Sequence, residues 1–185
     1  FRSEVSTYML NRDFPKDLRS LLFKDEKIIW FSRAELKPFV LRRLPGIMLP
    51  LVFILVPFMI VPFNVLMSSS PQLFLVLFLA FWFGVSGLMI FSSSLYPILL
   101  WRNLYYVLTD RRIIVRKGVI GIDYDILNLE QVQQINIDRG IWDRIYGTGS
   151  IIIQAIGVSP IRISSIREPF NVQELIAKAI KARKI

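Results

Sequence analysis

Hydrophobic positions along this chain fall into three regimes. Up to Arg43 the residues mix charged and apolar positions. From Leu44 to Trp101 there is no Asp, Glu, Lys or Arg, an uncharged run of 58 residues. A helix crossing a bilayer takes about 20 apolar residues, so the run is too long for one crossing and fits two. Met67–Gln72 (MSSSPQ) has the serines and proline of a turn. It divides a first span at about Leu44–Val65 from a second at about Leu73–Ser94. A buried soluble core is the alternative, and so long a stretch without charge argues against it.

After Arg102 the pattern shortens to the period of strands. Leu104–Thr109 (LYYVLT) is aromatic and β-branched, Asp110–Arg111 is a turn, and Arg112–Lys117 (RIIVRK) is a second strand ended by Gly118. In Val119–Leu127 the alternation predicts Ile120, Ile122, Tyr124 and Ile126 on one face, against Gly121, Asp123 and Asp125. Val132–Asp138 is expected to turn Ile135 and Ile137 inward. Gly140–Tyr146 reads as one helical turn, Gly147–Gly149 as a tight turn, and Ser150–Ile156 and Ile161–Ile166 as two further strands. The final segment has helical period. Val172, Leu175, Ile176, Ala179 and Ile180 form a stripe, Asn171 is the expected N-cap with Glu174 at capping-box spacing, and Lys178, Lys181, Arg183 and Lys184 crowd the end. Six antiparallel strands and one amphipathic helix predict an α+β domain, a two-sheet barrel or sandwich sealed by the helix. Before the uncharged run, Lys27–Phe31 also has strand composition. It is expected to dock on the later domain as an added strand. The resulting domains are a cytoplasmic segment 1–43, a transmembrane hairpin 44–101 and a cytoplasmic domain 102–185.

Charge orients the hairpin. Arg33, Lys37, Arg42 and Arg43 precede the first span, Arg102, Arg111, Arg112, Arg116 and Lys117 follow the second, and the connecting turn is neutral. The positive-inside tendency places both termini in the cytoplasm of a multi-pass cell-membrane protein, with Trp101, Tyr105 and Tyr106 in an interfacial belt. The first 43 residues lack the apolar core of a secretory signal, so none is expected within them. The net charge of +9 is shared between the two flanks, largely beside the membrane. With no helix-turn-helix or stacking pattern to accompany it, nucleic acid is not an expected partner.

Candidate chemistry is sparse. The chain has no Cys and no His, which removes disulfides, thiolate catalysis, Cys-based metal sites and the commonest general base. Asp123 and Asp125 share a strand face, where carboxylates are ordinarily just solvated. The glycines at 147–149 do not open a helix, so a phosphate cradle is not expected. Pro45, Pro50, Pro57 and Pro62 kink the first span, but no ionisable group lies at that depth for an ion site. No enzyme activity, metal or cofactor is therefore expected. Two surfaces remain. Arg42, Arg43, Trp101, Arg102, Arg111, Arg112, Arg116 and Lys117 could contact membrane lipids, each cation contributing about 1 kcal/mol near anionic headgroups. Ala80, Gly84 and Gly87 could let another helix approach closely, from the first span or from a different subunit.

The runs LTDRRIIVRKGVIG, LEQVQQINIDRGIWDRIYGTGSIII and IRISSIREPFNVQELI resemble the bacterial pleckstrin-homology-like domain of small membrane proteins, the DUF304 or YdbS/YdbT-like family. Thr109, Arg112, Gly118, Val132, Ile135, Arg144, Gly147 and Gly149 fit its pattern, and Lys24–Phe31 matches its lead-in loosely. The resemblance covers about Leu22–Ala182. It implies a membrane hairpin before the domain and a barrel that normally has seven strands, against six counted after the hairpin, with no catalytic motif. Together the observations predict a non-enzymatic docking or scaffold protein, an accessory subunit of a membrane complex or a homo-oligomer. Sensing of anionic lipid headgroups through the basic cluster is the alternative.

Overall fold

The computed structural model describes residues 14–43, 45–61 and 73–183. The chain divides into two units: residues up to Phe39 together with those from Leu100 onward, and an apolar unit, Val40–Leu99.

The first unit begins with a short helix, α1 (Lys16–Leu21), a strand, β1 (Ile28–Arg33), and a second short helix, α2 (Leu36–Leu41). After the apolar segment come β2 (Tyr105–Thr109), β3 (Arg112–Lys117) and β4 (Asp123–Asn128), which with β1 form an antiparallel sheet of order β1-β2-β3-β4. The strand expected near 27–31 is therefore a member of the sheet. It pairs Ile28 with Thr109 and Arg33 with Tyr105. A 3₁₀ turn (Leu129–Gln131) leads to a second sheet, β5 (Val132–Asp138), β6 (Thr148–Ala155) and β7 (Val158–Arg167), in that order. The short helix between β5 and β6 (Ile141–Ile145) and the C-terminal helix (Pro169–Arg183) complete the unit.

Strand alternation distributes the core. Val107 and Ile114 pack under Leu18 of α1, ringed by Phe31, Tyr105, Tyr124 and Ile28. Their neighbours Tyr106, Leu108, Ile113, Val115 and Leu127 are also buried and point the other way. β2 and β3 are thus covered on both faces, as a nearly continuous apolar run requires. Across the second sheet Ile151, Ile153, Ile161, Ile163 and Ile166 are buried, as are Val172, Ile176 and Ala179 of the C-terminal helix. Gly149 has no room for a side chain: a Cβ there would lie 2.8 Å from Pro169 Cγ, where that helix begins.

Some expected boundaries are corrected. Val119–Ile122 is not strand; β4 starts at Asp123. Ile120, Ile122 and Ile126 are exposed, and Leu127 makes the inner contact. Tyr124 and Ile126 do share a face, but it is the outer one, and α1 covers it only as far as Tyr124. The C-terminal helix begins at Pro169, so Asn171 lies in its first turn, donating to Glu168 Oε2 at 2.6 Å. Two strands also start earlier than expected, β6 at Thr148 and β7 at Val158.

In the apolar unit α3 spans Pro45–Ile60 and α4 spans Leu73–Arg102, entering the first unit at Leu100. α4 runs past the expected end at Ser94; its 30 residues make a helix about 45 Å long. One helix among the described residues, α4, is long and apolar enough to cross a membrane, while α3 has 16 residues. The turn at 67–72 and the end of the first expected span lie outside the described residues. The two helices meet through Phe53 stacked on Trp82, ring centres 4.2 Å apart. The indole Nε1 donates to the Phe53 carbonyl at 3.0 Å. That carbonyl is the one Pro57, four residues on, has no N–H to satisfy, so the tryptophan answers a vacancy the proline creates.

Candidate functional site

Of the residues expected to meet lipid headgroups, those from Trp101 onward lie in the first sheet or lead into it, and its register separates them. β2 starts one turn after α4 and runs away from that helix end; β3 returns. Tyr105 therefore pairs with Arg116 at the near end, while Arg112 pairs with Asn128 at the far end. At about 3.3 Å per residue, Lys117 and Arg112 are roughly 17 Å apart. Trp101, Arg102, Arg116 and Lys117 share the near end; Arg111 and Arg112 do not. Arg42 and Arg43 are half-buried and lie in the apolar unit.

On the outer face, alternation lines up Arg112, Ile114 and Arg116. The N-terminal segment answers with Glu26, Leu18 and Asp17. Glu26 accepts from Arg112 Nε and Nη2 at 2.9 and 2.8 Å, from the Thr109 hydroxyl at 2.7 Å and from the Phe23 amide at 3.1 Å. Its side chain is fully buried, and that of Arg112 is 11% exposed. Burial opposes the charge on Glu26, but the bonds from Arg112, Thr109 and Phe23 outweigh it and hold the carboxyl below its usual range. Asp17 accepts from Arg116 Nε at 2.7 Å and from the Tyr124 hydroxyl. Burial again works against its charge, and these two donors still bring its pKa down. The Tyr124 hydroxyl is pushed up, first by burial and then by its bond to Asp17. Lys117 pairs with Asp125, one of the two carboxylates singled out on that strand. Neither Asp17 nor Glu26 was singled out from sequence. The signal available was the placement of Arg112 and Arg116 four residues apart on one strand, on the same face as Ile114.

The near end is also aromatic. The Arg33 guanidinium lies 3.8 Å from the Trp101 ring centre and donates through Nη2 to the carbonyls of Trp101 and Arg102 at 3.4 and 3.0 Å. A cation on the last carbonyls of a helix is favourable to its dipole, so β1 caps α4. Trp101 Nε1 returns a bond to the Ala34 carbonyl at 2.6 Å. Arg116 Nη1 reaches the Asn103 carbonyl at 3.2 Å, and Asn103 Nδ2 donates to the Gly118 carbonyl at 3.0 Å.

On the second sheet, buried Asp143 accepts from the Gly140 amide at 3.1 Å and from the Thr148 hydroxyl at 2.9 Å. It fixes a one-turn helix whose Ile141 and Ile145 point to solvent. In the apolar unit, Ala80, Gly84 and Gly87 lie on the exposed face of α4; a Cβ at either glycine would meet nothing within 4 Å. Phe53 of α3 meets Trp82 instead.

Two antiparallel sheets with a C-terminal helix packed on the second define a domain of the pleckstrin-homology class. The chain belongs to the bacterial PH domain family, whose sequence profile matches residues 39–180 and so begins after β1. No curated protein matches it. Its structure is similar to a crystal structure of a DUF1696 family protein with a pleckstrin-homology domain from Shewanella loihica PV-4, at 15% identity over 42% of this chain and 70% of that one, with a TM-score of 0.35.

Proposed function

We propose that this protein is a membrane-anchored, non-catalytic docking module. Its apolar segment crosses the bilayer twice, as a DUF304-like hairpin, and holds the pleckstrin-homology-like unit at the cytoplasmic face. There it engages another subunit or a second copy of itself. Support for two crossings rather than one comes from β1 and β2. They are neighbours in one sheet, yet one precedes the uncharged run and the other follows it. A sheet lies on one side of a membrane, so the run between them crosses an even number of times. The positively charged flanks favour the cytoplasmic side.

The observation that carries docking over headgroup sensing is the engagement of the cations. Arg112 and Arg116 are held by Glu26 and Asp17, and Lys117 by Asp125. Exposed apolar side chains are present as well, Ile141 and Ile145 together on one face of a short helix. The test uses the full chain purified in mild detergent, with light scattering and mass spectrometry of co-purifying chains. A stoichiometric assembly that is lost in Ile141→Asp/Ile145→Asp is expected. An identical elution in both proteins refutes the docking surface, and labels placing the two termini on opposite faces refute the anchor. The headgroup reading retains Arg102, whose side chain is exposed. Salt-sensitive binding to anionic vesicles that Arg102→Gln abolishes would favour it.

A further inference from the structure

The turn between β3 and β4 places an apolar tip at the level where α4 ends. Ile120 is 104% exposed and Ile122 44%, although both are large aliphatic residues. β3 runs back toward the end of α4, so the chain beyond Lys117 projects past the near end of the sheet. Its height is fixed by two bonds already described, Arg116 to the Asn103 carbonyl and Asn103 to the Gly118 carbonyl. Asn103 is the first residue after α4. From Gly118, two residues carry the chain at most about 7 Å to Ile120. The turn is also tightly folded: Gly118 has φ +134°, and a Cβ there would fall 1.9 Å from the Gly121 carbonyl oxygen. The same end of the sheet holds Arg33 with Trp101, Tyr105 and Arg102, residue types that populate a membrane interface.

We infer that the Gly118–Ile122 turn is a second membrane contact, in which Ile120 and Ile122 enter the headgroup–acyl boundary of the bilayer that α4 crosses. This rests on the anchoring proposed above. The contact is apolar and needs no anionic lipid, which separates it from headgroup sensing. Its consequence is to fix the tilt of the sheet on the membrane, adding a third point to the two at which the hairpin enters and leaves the bilayer.

The chain has no Cys, so single-cysteine variants can each carry one environment-sensitive fluorophore. Three positions suffice: Ile120→Cys at the tip, Leu88→Cys on the exposed face near the middle of α4, and Ile156→Cys. Ile156 is an exposed isoleucine at the opposite end, where its amide bonds to Gln131 and Leu129 bonds to Arg111. The full-length proteins are reconstituted in phosphatidylcholine vesicles, with and without phosphatidylglycerol, and probed with nitroxide lipids and aqueous iodide. The expected result is quenching of 88 by deep nitroxides, of 120 by shallow nitroxides in both vesicle types, and of 156 by iodide alone. If 120 behaves like 156 while 88 is quenched from the lipid, the inference falls and the anchor stands. If 88 itself reads water, the anchor falls and takes the inference with it.

Discussion

Replacing Glu26 with Gln removes one charge and almost no volume from the buried pair that ties the N-terminal segment to β3. Four donors converge on the Glu26 carboxylate, two of them from one guanidinium. In the variant the carboxamide nitrogen must face some of those donors, and Arg112 keeps a nearly buried charge without a counter-ion. Breaking such a pair from one side costs about 3–5 kcal/mol. The lower figure applies here, because Gln still accepts one bond. Against a typical domain stability of about 5–15 kcal/mol the variant still folds, so the loss is measurable. Urea unfolding of the full chain in detergent, followed by tryptophan fluorescence, to which Trp30 in β1 contributes, reads it. The dependence on pH has a definite sign. The folded-state pKa of Glu26 lies below its ordinary 4.5, so its contribution is complete above that value and is lost as pH falls through the folded-state one. The gap between parent and variant should be constant near neutrality and narrow in acid. Pairing Glu26→Leu with Arg112→Met should lose less than the two single changes summed, because neither group is then left uncompensated. A gap under about 1 kcal/mol at pH 7, the size of an exposed pair, would refute the reasoning.

Three further outcomes follow from the same contacts. A fragment of residues 102–185 lacks β1 and leaves Arg112 and Arg116 without their carboxylates. It should show no cooperative unfolding by circular dichroism until a peptide of residues 14–39 is added, and cooperative unfolding without the peptide would contradict the role given to β1. Gly118→Ala meets both an unfavourable backbone conformation and the Gly121 carbonyl, and should lower stability by about 1–3 kcal/mol in the same urea assay, while the exposed Ile120→Ala changes it by under about 0.5 kcal/mol. Arg33→Met loses the cap on α4 as well as the stacking on Trp101; hydrogen exchange should accelerate in β1 by about tenfold, the equivalent of about 1.4 kcal/mol.

Where period and composition agreed, the sequence was a good guide. The stripe from Val172 to Ile180 lies against the second sheet as its spacing required, and the strand composition of Lys27–Phe31 anticipated the fourth member of the first sheet. The errors have physical causes. Alternation says which residues share a face without saying how far that face is covered, and this is why Ile126 is exposed while its facemate Tyr124 is not. Proximity to the uncharged run grouped five cations that a hairpin then divides between two ends of a sheet. Nor could charge counting detect that the carboxylates pairing with Arg112 and Arg116 lie before that run, 86 residues away along the chain for Glu26 and Arg112.

That separation bears on how the first sheet forms. β1 and β2 are joined by 71 residues, Ala34–Leu104. Closing a flexible loop of that length costs about 4 kcal/mol beyond its constant part, from (3/2)RT ln n. On the proposed hairpin the cost falls on helix insertion instead, because a helical pair that enters and leaves the same face already brings its ends back to one surface. β1 then pairs with β2 across a short gap, and Arg33 closes the joint on the last carbonyls of α4. The sheet should therefore be weaker in any sequence where the hairpin is replaced by a flexible linker of equal length, even though no residue of the sheet has changed. Equal stability of the two, measured by the exchange of β1 amides in urea, would show that the hairpin contributes only attachment.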